Sequence, residues 1–207
     1  KGHVSLPTWI AIWCFGDSCS YEKGEKLYNV LLEYAPGGAL ADKLRNSDGG
    51  GMPESEVRVY TKALLKGNIY IHKFGYVHCD IKLQNIFLGA NGRVKIGDFG
   101  LAKRDGGRKG AATGCELRGT PLYISPEMVV GGKQGPPADI WALGCVVAEM
   151  LFGNPAWRCS DIAGWMMRIE VGEEVPEIPR SLSKEGRDFL CKYFVKDPSK
   201  RWTVEML

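Results

Sequence analysis

Residues 78–100, HCDIKLQNIFLGANGRVKIGDFG, decide how the chain is read. Within them, Ile86-Phe87-Leu88 and Val94-Lys95-Ile96 are short apolar runs separated by Gly89-Ala90-Asn91-Gly92. Asn-Gly between two such runs is a strong hairpin signal. A hairpin places the residues before its first strand and after its second at one end. Asp80, Asn85 and Asp98 are therefore expected to converge, with Lys82 close by. Two carboxylates, an amide and a lysine at one point suit phosphoryl transfer. Asp98 and Asn85 offer the hard oxygen ligands that Mg²⁺ requires. Asp80 can accept the proton of a substrate hydroxyl, and Lys82 can offset charge building on the moving phosphoryl group. In such chemistry the protein works by positioning and electrostatics rather than by covalent bonds.

Upstream of this stretch, WIAIWCF and LYNVLLEY within residues 9–34 read as antiparallel strands, with the polar GDSCSYEKGEK as the loop between them. Pro36-Gly37-Gly38 punctuates the chain, and ALADKLRN reads as a short helix running into Gly49-Gly50-Gly51. Pro53 suits the first turn of a longer helix, with Glu54 and Glu56 at its positive end. Val57, Tyr60, Ala63, Leu64 and Gly67 form its apolar stripe, and Gly75 stops it. Downstream, residues 100–125 read as irregular, and ADIWALGCVVAEMLFG (138–153) is apolar nearly all round, which marks a buried helix ended by Gly153. Ser160 and Ser183 are N-cap candidates for two later helices. Strands followed mostly by helices give an α+β class.

Composition sets the outer bounds. The 207 residues are 44% hydrophobic and 25% charged, enough to bury a substantial core. A net charge of +3 is too mild to argue for a nucleic acid or an anionic membrane as partner. No apolar run reaches the ~18 residues of a membrane span. Seven cysteines lie scattered without a C-x-x-C pair, which fits neither a zinc site nor a disulfide framework and points to the reducing cytoplasm or nucleus.

The motifs His78-x-Asp80-x-Lys82-x-x-Asn85, Asp98-Phe99-Gly100 and Ser125-Pro126-Glu127, in that order, resemble the protein kinase signature. Lys82 and Thr120 are the variants of Ser/Thr rather than Tyr kinases. The resemblance covers essentially the whole chain, and it implies ATP and Mg²⁺, with Asn85 and Asp98 as metal ligands. LLEYAPGG resembles the hinge that holds adenine, which implies Leu32 as gatekeeper, the Glu33 carbonyl and Ala35 amide as base contacts, and Phe87 as the pocket floor. Thr120 would brace Asp80 and Lys82. Asp139 resembles the buried aspartate that pins the catalytic loop, and Glu127 and Arg201 resemble the ion pair tying the activation segment to the lower lobe. The stretches EYAPGGALAD, HCDIKLQNI, ELRGTPLYISPE, GPPADIWALGC and VKDPSKRWT resemble plant MEKK-like mitogen-activated protein kinase kinase kinases, which implies a downstream kinase kinase as protein substrate. His78 and Phe99 read as packing residues, Lys103, Arg104, Arg108 and Lys109 as a solvated loop, and Thr113 as a loop threonine without a duty.

Two departures qualify the resemblance. No G-x-G-x-x-G occurs in the sequence, and Lys95 belongs to the strand before Asp98 rather than to a phosphate-binding strand. Residues 1–35 are expected to be a remnant of the small lobe, entered just before its fourth strand near His3, and residues 36–207 the large lobe, ending without a final helix. Such a piece is expected to transfer little or no phosphate by itself, and a non-catalytic binding module is the alternative reading. The second departure is Cys79, where many kinases carry an arginine that pairs with a phosphate on the activation loop. Cysteine cannot make that pair, so activation is expected to depend little on loop phosphorylation.

Overall fold

In the computed structural model, which describes residues 14–22, 25–47, 50–106, 118–157, 159, 161–172 and 174–207, the hairpin read from the sequence is present. β4 (Ile86–Leu88) pairs antiparallel with β5 (Val94–Ile96), Ile86 opposite Ile96 and Leu88 opposite Val94. A single 3₁₀ turn, Ala90–Gly92, joins them, with Gly92 at φ 69°, where a residue without a β-carbon is strain-free. Behind the hairpin runs α2 (Glu54–Lys73), whose buried residues Val57, Tyr60, Leu64, Gly67 and Ile71 follow the helical repeat. A β-carbon on Gly67 would stand 2.8 Å from Ile96 Cδ1, so glycine sets the distance between α2 and β5. Gly75, at φ 72°, follows the helix end as expected.

The strands before the hairpin fall differently from expectation. β1 is Cys14–Glu22 and β2 is Glu25–Leu32, paired from Cys14↔Leu32 to Glu22↔Glu25 with an irregularity between Cys14 and Gly16. The polar stretch assigned to a loop is therefore mostly strand. Backbone pairing in a two-stranded ribbon satisfies the amides whatever the side-chain polarity, so an apolar pattern is no guide to its length. Trp9, Ile10 and Trp13 lie outside the described residues.

α1 (Leu40–Arg45) sits where it was expected. β3 (Tyr76–Val77) and β6 (Lys103–Arg104) form a further short antiparallel pair, of which β6 lies inside the region read as irregular. Lys103 and Arg104 thus stand on a strand, with the Arg104 guanidinium 5.5 Å from the Tyr76 ring centre, and not on a loop. Arg108, Lys109 and Thr113 lie outside the described residues.

After α3 (Pro126–Val129), α4 (Pro136–Phe152) is buried on nearly every side and ends at Gly153, φ 72°. It packs on α2 and on α6 (Lys184–Tyr193). A β-carbon on Gly144 would come within 2.5 Å of Tyr193 Cβ, which explains glycine at that crossing. Trp141 of α4 stacks on Trp157 and meets Phe194 edge-on, and Trp157 meets Trp165 of α5 (Ile162–Val171). Ser183 caps α6 by accepting from the Gly186 amide. α5 is capped by Asp161, whose carboxylate accepts from the Ala163 and Gly164 amides, and Ser160 lies outside the described residues. Either residue type fits such a position, so sequence could not choose between neighbours. The whole is α+β, three two-stranded sheets among six helices within the described residues. No helix among them is long and apolar enough to cross a membrane.

Candidate active site

Asp139, in the first turn of α4 and 1% exposed, organises the segment that carries the polar motif. One carboxylate oxygen accepts from the His78 amide at 2.8 Å and from His72 Nε2 at 2.9 Å, and the other accepts from the Cys79 amide at 2.9 Å. A buried carboxylate is tolerated because every oxygen is hydrogen-bonded. His72, on α2, is a partner that sequence reasoning missed. Its ring lies one turn past Asn68 on the buried side of the helix, a placement that hydrophobic periodicity does not flag.

His78 is completely buried. Its Nδ1 accepts from the Asp80 amide at 3.3 Å, and its Nε2 lies 3.0 Å from the Gly97 carbonyl. An amide can only donate and a carbonyl only accept, so the ring carries its proton on Nε2. Burial lowers its pKa, against the pull of Asp139 and the Gly97 carbonyl. The imidazole therefore ties the Asp80 segment to the end of β5, and Phe99 meets it edge-on at 4.8 Å. His78 packs as the sequence suggested, whereas Phe99 touches it with one edge and is otherwise 38% exposed.

Asp80 stands at the centre of a closed network. Its Oδ1 accepts from Thr120 Oγ1 at 2.8 Å, and its Oδ2 lies 2.8 Å from Lys82 Nζ and 3.0 Å from Asn85 Nδ2. Lys82 Nζ also donates to Thr120 Oγ1 at 2.9 Å. Burial pushes the Asp80 carboxyl up, but hydrogen bonds from Lys82, Thr120 and Asn85 outweigh it and hold the pKa below the usual carboxylate value. Asn85 Nδ2 donates to the Asp80 carbonyl as well, at 2.9 Å. Both amide hydrogens are thereby committed, which leaves Oδ1 as an electron-pair donor.

Asp98 stands at the same end of the hairpin, since the Gly97 amide donates to the Asn85 carbonyl at 2.8 Å. Its backbone is left-handed, φ 58°, and its exposed carboxylate accepts only from the Gly100 amide at 3.3 Å among the described residues. An exposed carboxylate oxygen and the Asn85 amide oxygen are the hard donor type that Mg²⁺ takes, so the donor chemistry fits that ion.

Gly119 shows why Thr120 reaches Asp80. A β-carbon at Gly119 would stand 2.8 Å from the Cys79 carbonyl, and its φ is 116°. Only glycine lets the two loops approach this closely. Gln134, also missed from sequence, clamps the approach by donating to the Arg118 carbonyl at 3.2 Å. Cys79 has φ 70°, and its thiol is buried, with its pKa pushed up to about 11 by burial and by Asp139. Below the loop, Arg201 pairs with both oxygens of Glu127 at 2.8 and 2.9 Å and donates to the Pro137, Val195 and Lys196 carbonyls. Its guanidinium also lies 5.1 Å from the Trp141 ring centre.

The hinge residues lie past the end of β2. Leu32 is 58% exposed, and Glu33, Tyr34 and Ala35 belong to no strand. Among the described residues, neither the Glu33 carbonyl nor the Ala35 amide takes a backbone partner. Phe87 faces this segment through the pairing of residues 37–39 with β4, in which the Gly37 amide donates to Leu88 and Leu88 to Gly38. The Glu33 side chain forms an ion pair with Lys95 of β5, which the sequence reading did not foresee. A lysine at the centre of the short apolar run Val94-Lys95-Ile96 was the available signal.

The protein kinase domain pattern matches residues 15–207 of the chain. Over 200 residues the chain is 51% identical to mitogen-activated protein kinase kinase kinase 20 of Arabidopsis thaliana, covering 95% of this chain and 58% of that protein. It is 40% identical to mitogen-activated protein kinase kinase kinase 17 of the same plant, over 89% of this chain and 49% of that protein. It is 37% identical to mitogen-activated protein kinase kinase kinase 3 of Mus musculus, over 91% of this chain and 30% of that protein. The chain thus spans about half the length of these plant relatives.

Proposed function

We propose, given that this chain belongs to the protein kinase domain family and resembles plant mitogen-activated protein kinase kinase kinases, that it is the catalytic part of a Ser/Thr kinase acting on a downstream kinase kinase. The observation that carries the reading is the closed network of Asp80, Lys82, Asn85 and Thr120.

The steps follow from these side chains. Asp80, held ionised by its three partners, accepts the proton of a substrate serine or threonine hydroxyl. The hydroxyl oxygen bonds to the γ-phosphorus of ATP as the bond to the departing ADP oxygen breaks. Lys82 turns from Asp80 towards the γ-phosphate and offsets its charge. Thr120 keeps the Asp80 carboxylate oriented towards the hydroxyl. Asn85 Oδ1 and Asp98 would hold Mg²⁺, which when bound neutralises phosphate charge and aligns the phosphates. The Glu33 carbonyl and Ala35 amide would hold the adenine edge, over Phe87. The 207 residues contain no Gly-rich phosphate loop, and by themselves they are proposed to transfer phosphate weakly. Seven cysteines without a pairing pattern favour work in the cytoplasm or nucleus.

Transfer of labelled phosphate from ATP to a recombinant kinase kinase, by this chain within a polypeptide that also supplies a Gly-rich phosphate loop, tests the reading. Transfer that disappears in Asp80→Asn, with ATP binding retained, is the expected result. Such a polypeptide that binds its partner but never transfers phosphate would make the chain a binding module.

A further inference from the structure

Lys95 has an unusual position for a lysine. It is the middle residue of β5, its side chain is 4% exposed, and its ammonium is paired with the Glu33 carboxylate. An ammonium withdrawn from water persists only when an opposite charge meets it, so this pair fixes the Glu33 side chain. Lys95 also stands directly opposite Phe87 in the β4–β5 ladder. Opposed residues of an antiparallel pair project from the same face of the sheet. The lysine stem and the Phe87 ring therefore share the face turned to the hinge, while Ile96 faces Gly67 of α2.

The segment Glu33–Ala35 needs such a restraint. β2 ends at Leu32, and Tyr34 is 82% exposed. Downstream the chain is held by backbone pairing of residues 37–39 with Phe87 and Leu88, and by the Gly38 amide donating to the Ala35 carbonyl at 3.1 Å. At the upstream side, the ion pair to Lys95 is the contact that ties Glu33 to the β4–β5 hairpin.

We infer that Lys95 is a positioning residue for the adenine base: by holding Glu33 it sets the direction of the Glu33 carbonyl and the Ala35 amide. The inference rests on the proposed hinge contacts. Adenine offers an amino donor beside a ring-nitrogen acceptor, which a carbonyl followed by an amide matches. Guanine presents the reverse order on the same edge, so base preference reports the geometry of these two groups.

The test is calorimetric titration of the purified chain with ADP·Mg²⁺ and GDP·Mg²⁺. Lys95→Met should weaken ADP about tenfold, the value of one well-made hydrogen bond, and change GDP less than twofold. The double variant Glu33→Met/Lys95→Met buries no unpaired charge and keeps the fold if Lys95→Met does not; it should lose the same ADP preference. Lys95→Arg, which keeps the charge, should retain it. Unchanged ADP preference in both methionine variants, or equal losses for ADP and GDP, would leave Lys95 a purely structural residue and overturn the inference alone. Absence of any ADP preference in the unaltered chain would overturn the hinge reading and the inference with it.

Discussion

Thr120 Oγ1 donates to Asp80 Oδ1 at 2.8 Å although the two residues are 40 positions apart in the chain. A carboxylate can only accept, so the threonine hydrogen is committed to Asp80 and its lone pair is open to Lys82 Nζ at 2.9 Å. The polarity of the relay is fixed: lysine to threonine to aspartate. Thr120 is the one member whose loss leaves both charged partners in place but differently aimed.

Thr120→Val should therefore lower kcat of the proposed phosphoryl transfer by about tenfold to a hundredfold, within the range that proton-transfer groups contribute. Thr120→Ser should restore most of it. The hydrogen bond from Thr120 helps hold the Asp80 pKa down, so its removal should move the acid limb of the kcat/KM profile to higher pH. A pH–rate profile of both variants checks this; an unmoved acid limb would separate Thr120 from Asp80.

The Glu127–Arg201 pair supports the site from below. Arg201 is 4% exposed and donates to three backbone carbonyls besides the two Glu127 oxygens. Arg201→Ala leaves a carboxylate and these carbonyls without their donor, at a cost of about 3–5 kcal/mol. For a chain of this length that corresponds to a fall in Tm on the order of 10 °C. Thermal unfolding followed by near-UV circular dichroism measures it, and a fall within 2 °C would show that the pair is idle.

How far the site could be read from sequence depends on the kind of interaction involved. The β4–β5 hairpin, the buried Asp139 and the convergence of Asp80 with Asn85 follow from local signals: an Asn-Gly turn, an acid opening an apolar helix, and motif spacing. Lys95–Glu33 and His72–Asp139 join residues 62 and 67 positions apart, and no local pattern names such a partner. The extent of β1 escaped for another reason. Backbone pairing in a ribbon does not require apolar alternation, so the polar run 16–22 carries no strand signal.

Asp139→Asn tests the anchoring of the catalytic segment. One acceptor oxygen becomes an amide NH2, itself a donor, facing the His78 amide and His72, or the Cys79 amide. Each buried donor left unsatisfied costs about 1–3 kcal/mol. The variant should lose on the order of 2–4 kcal/mol of stability in urea denaturation, and amide exchange at His78 and Cys79 should quicken. Unchanged exchange at those two amides would count against Asp139 as the anchor.

Cys79 bears on regulation. Its thiol is buried and carries no positive charge with which to meet a phosphate. Thr113→Ala is therefore expected to keep the proposed activity within about twofold, since no charge-assisted pair is lost. Kinase assays of Thr113→Ala and Thr113→Glu decide the point. Loss in the first with recovery in the second would mean that another cation reads the loop.

Glu149 of α4 gives a pH signature with a definite sign. Burial raises its pKa above the usual glutamate value, although the Tyr123 hydroxyl donates to it and pulls the other way. A raised folded-state pKa means that the native state holds the proton more tightly than the unfolded chain. The favourable contribution is complete below the unfolded value, near 4.5, and is lost as pH rises through the folded value. At neutral pH the ionised side chain is thus a net cost. Glu149→Gln keeps an acceptor for Tyr123 and removes the charge, so it should raise Tm at pH 8 by about 2–4 °C for each kcal/mol recovered, and by almost nothing at pH 4. Melting curves across that range test it. A gain that is equal at both ends would mean that the glutamate charge is not what burial penalises.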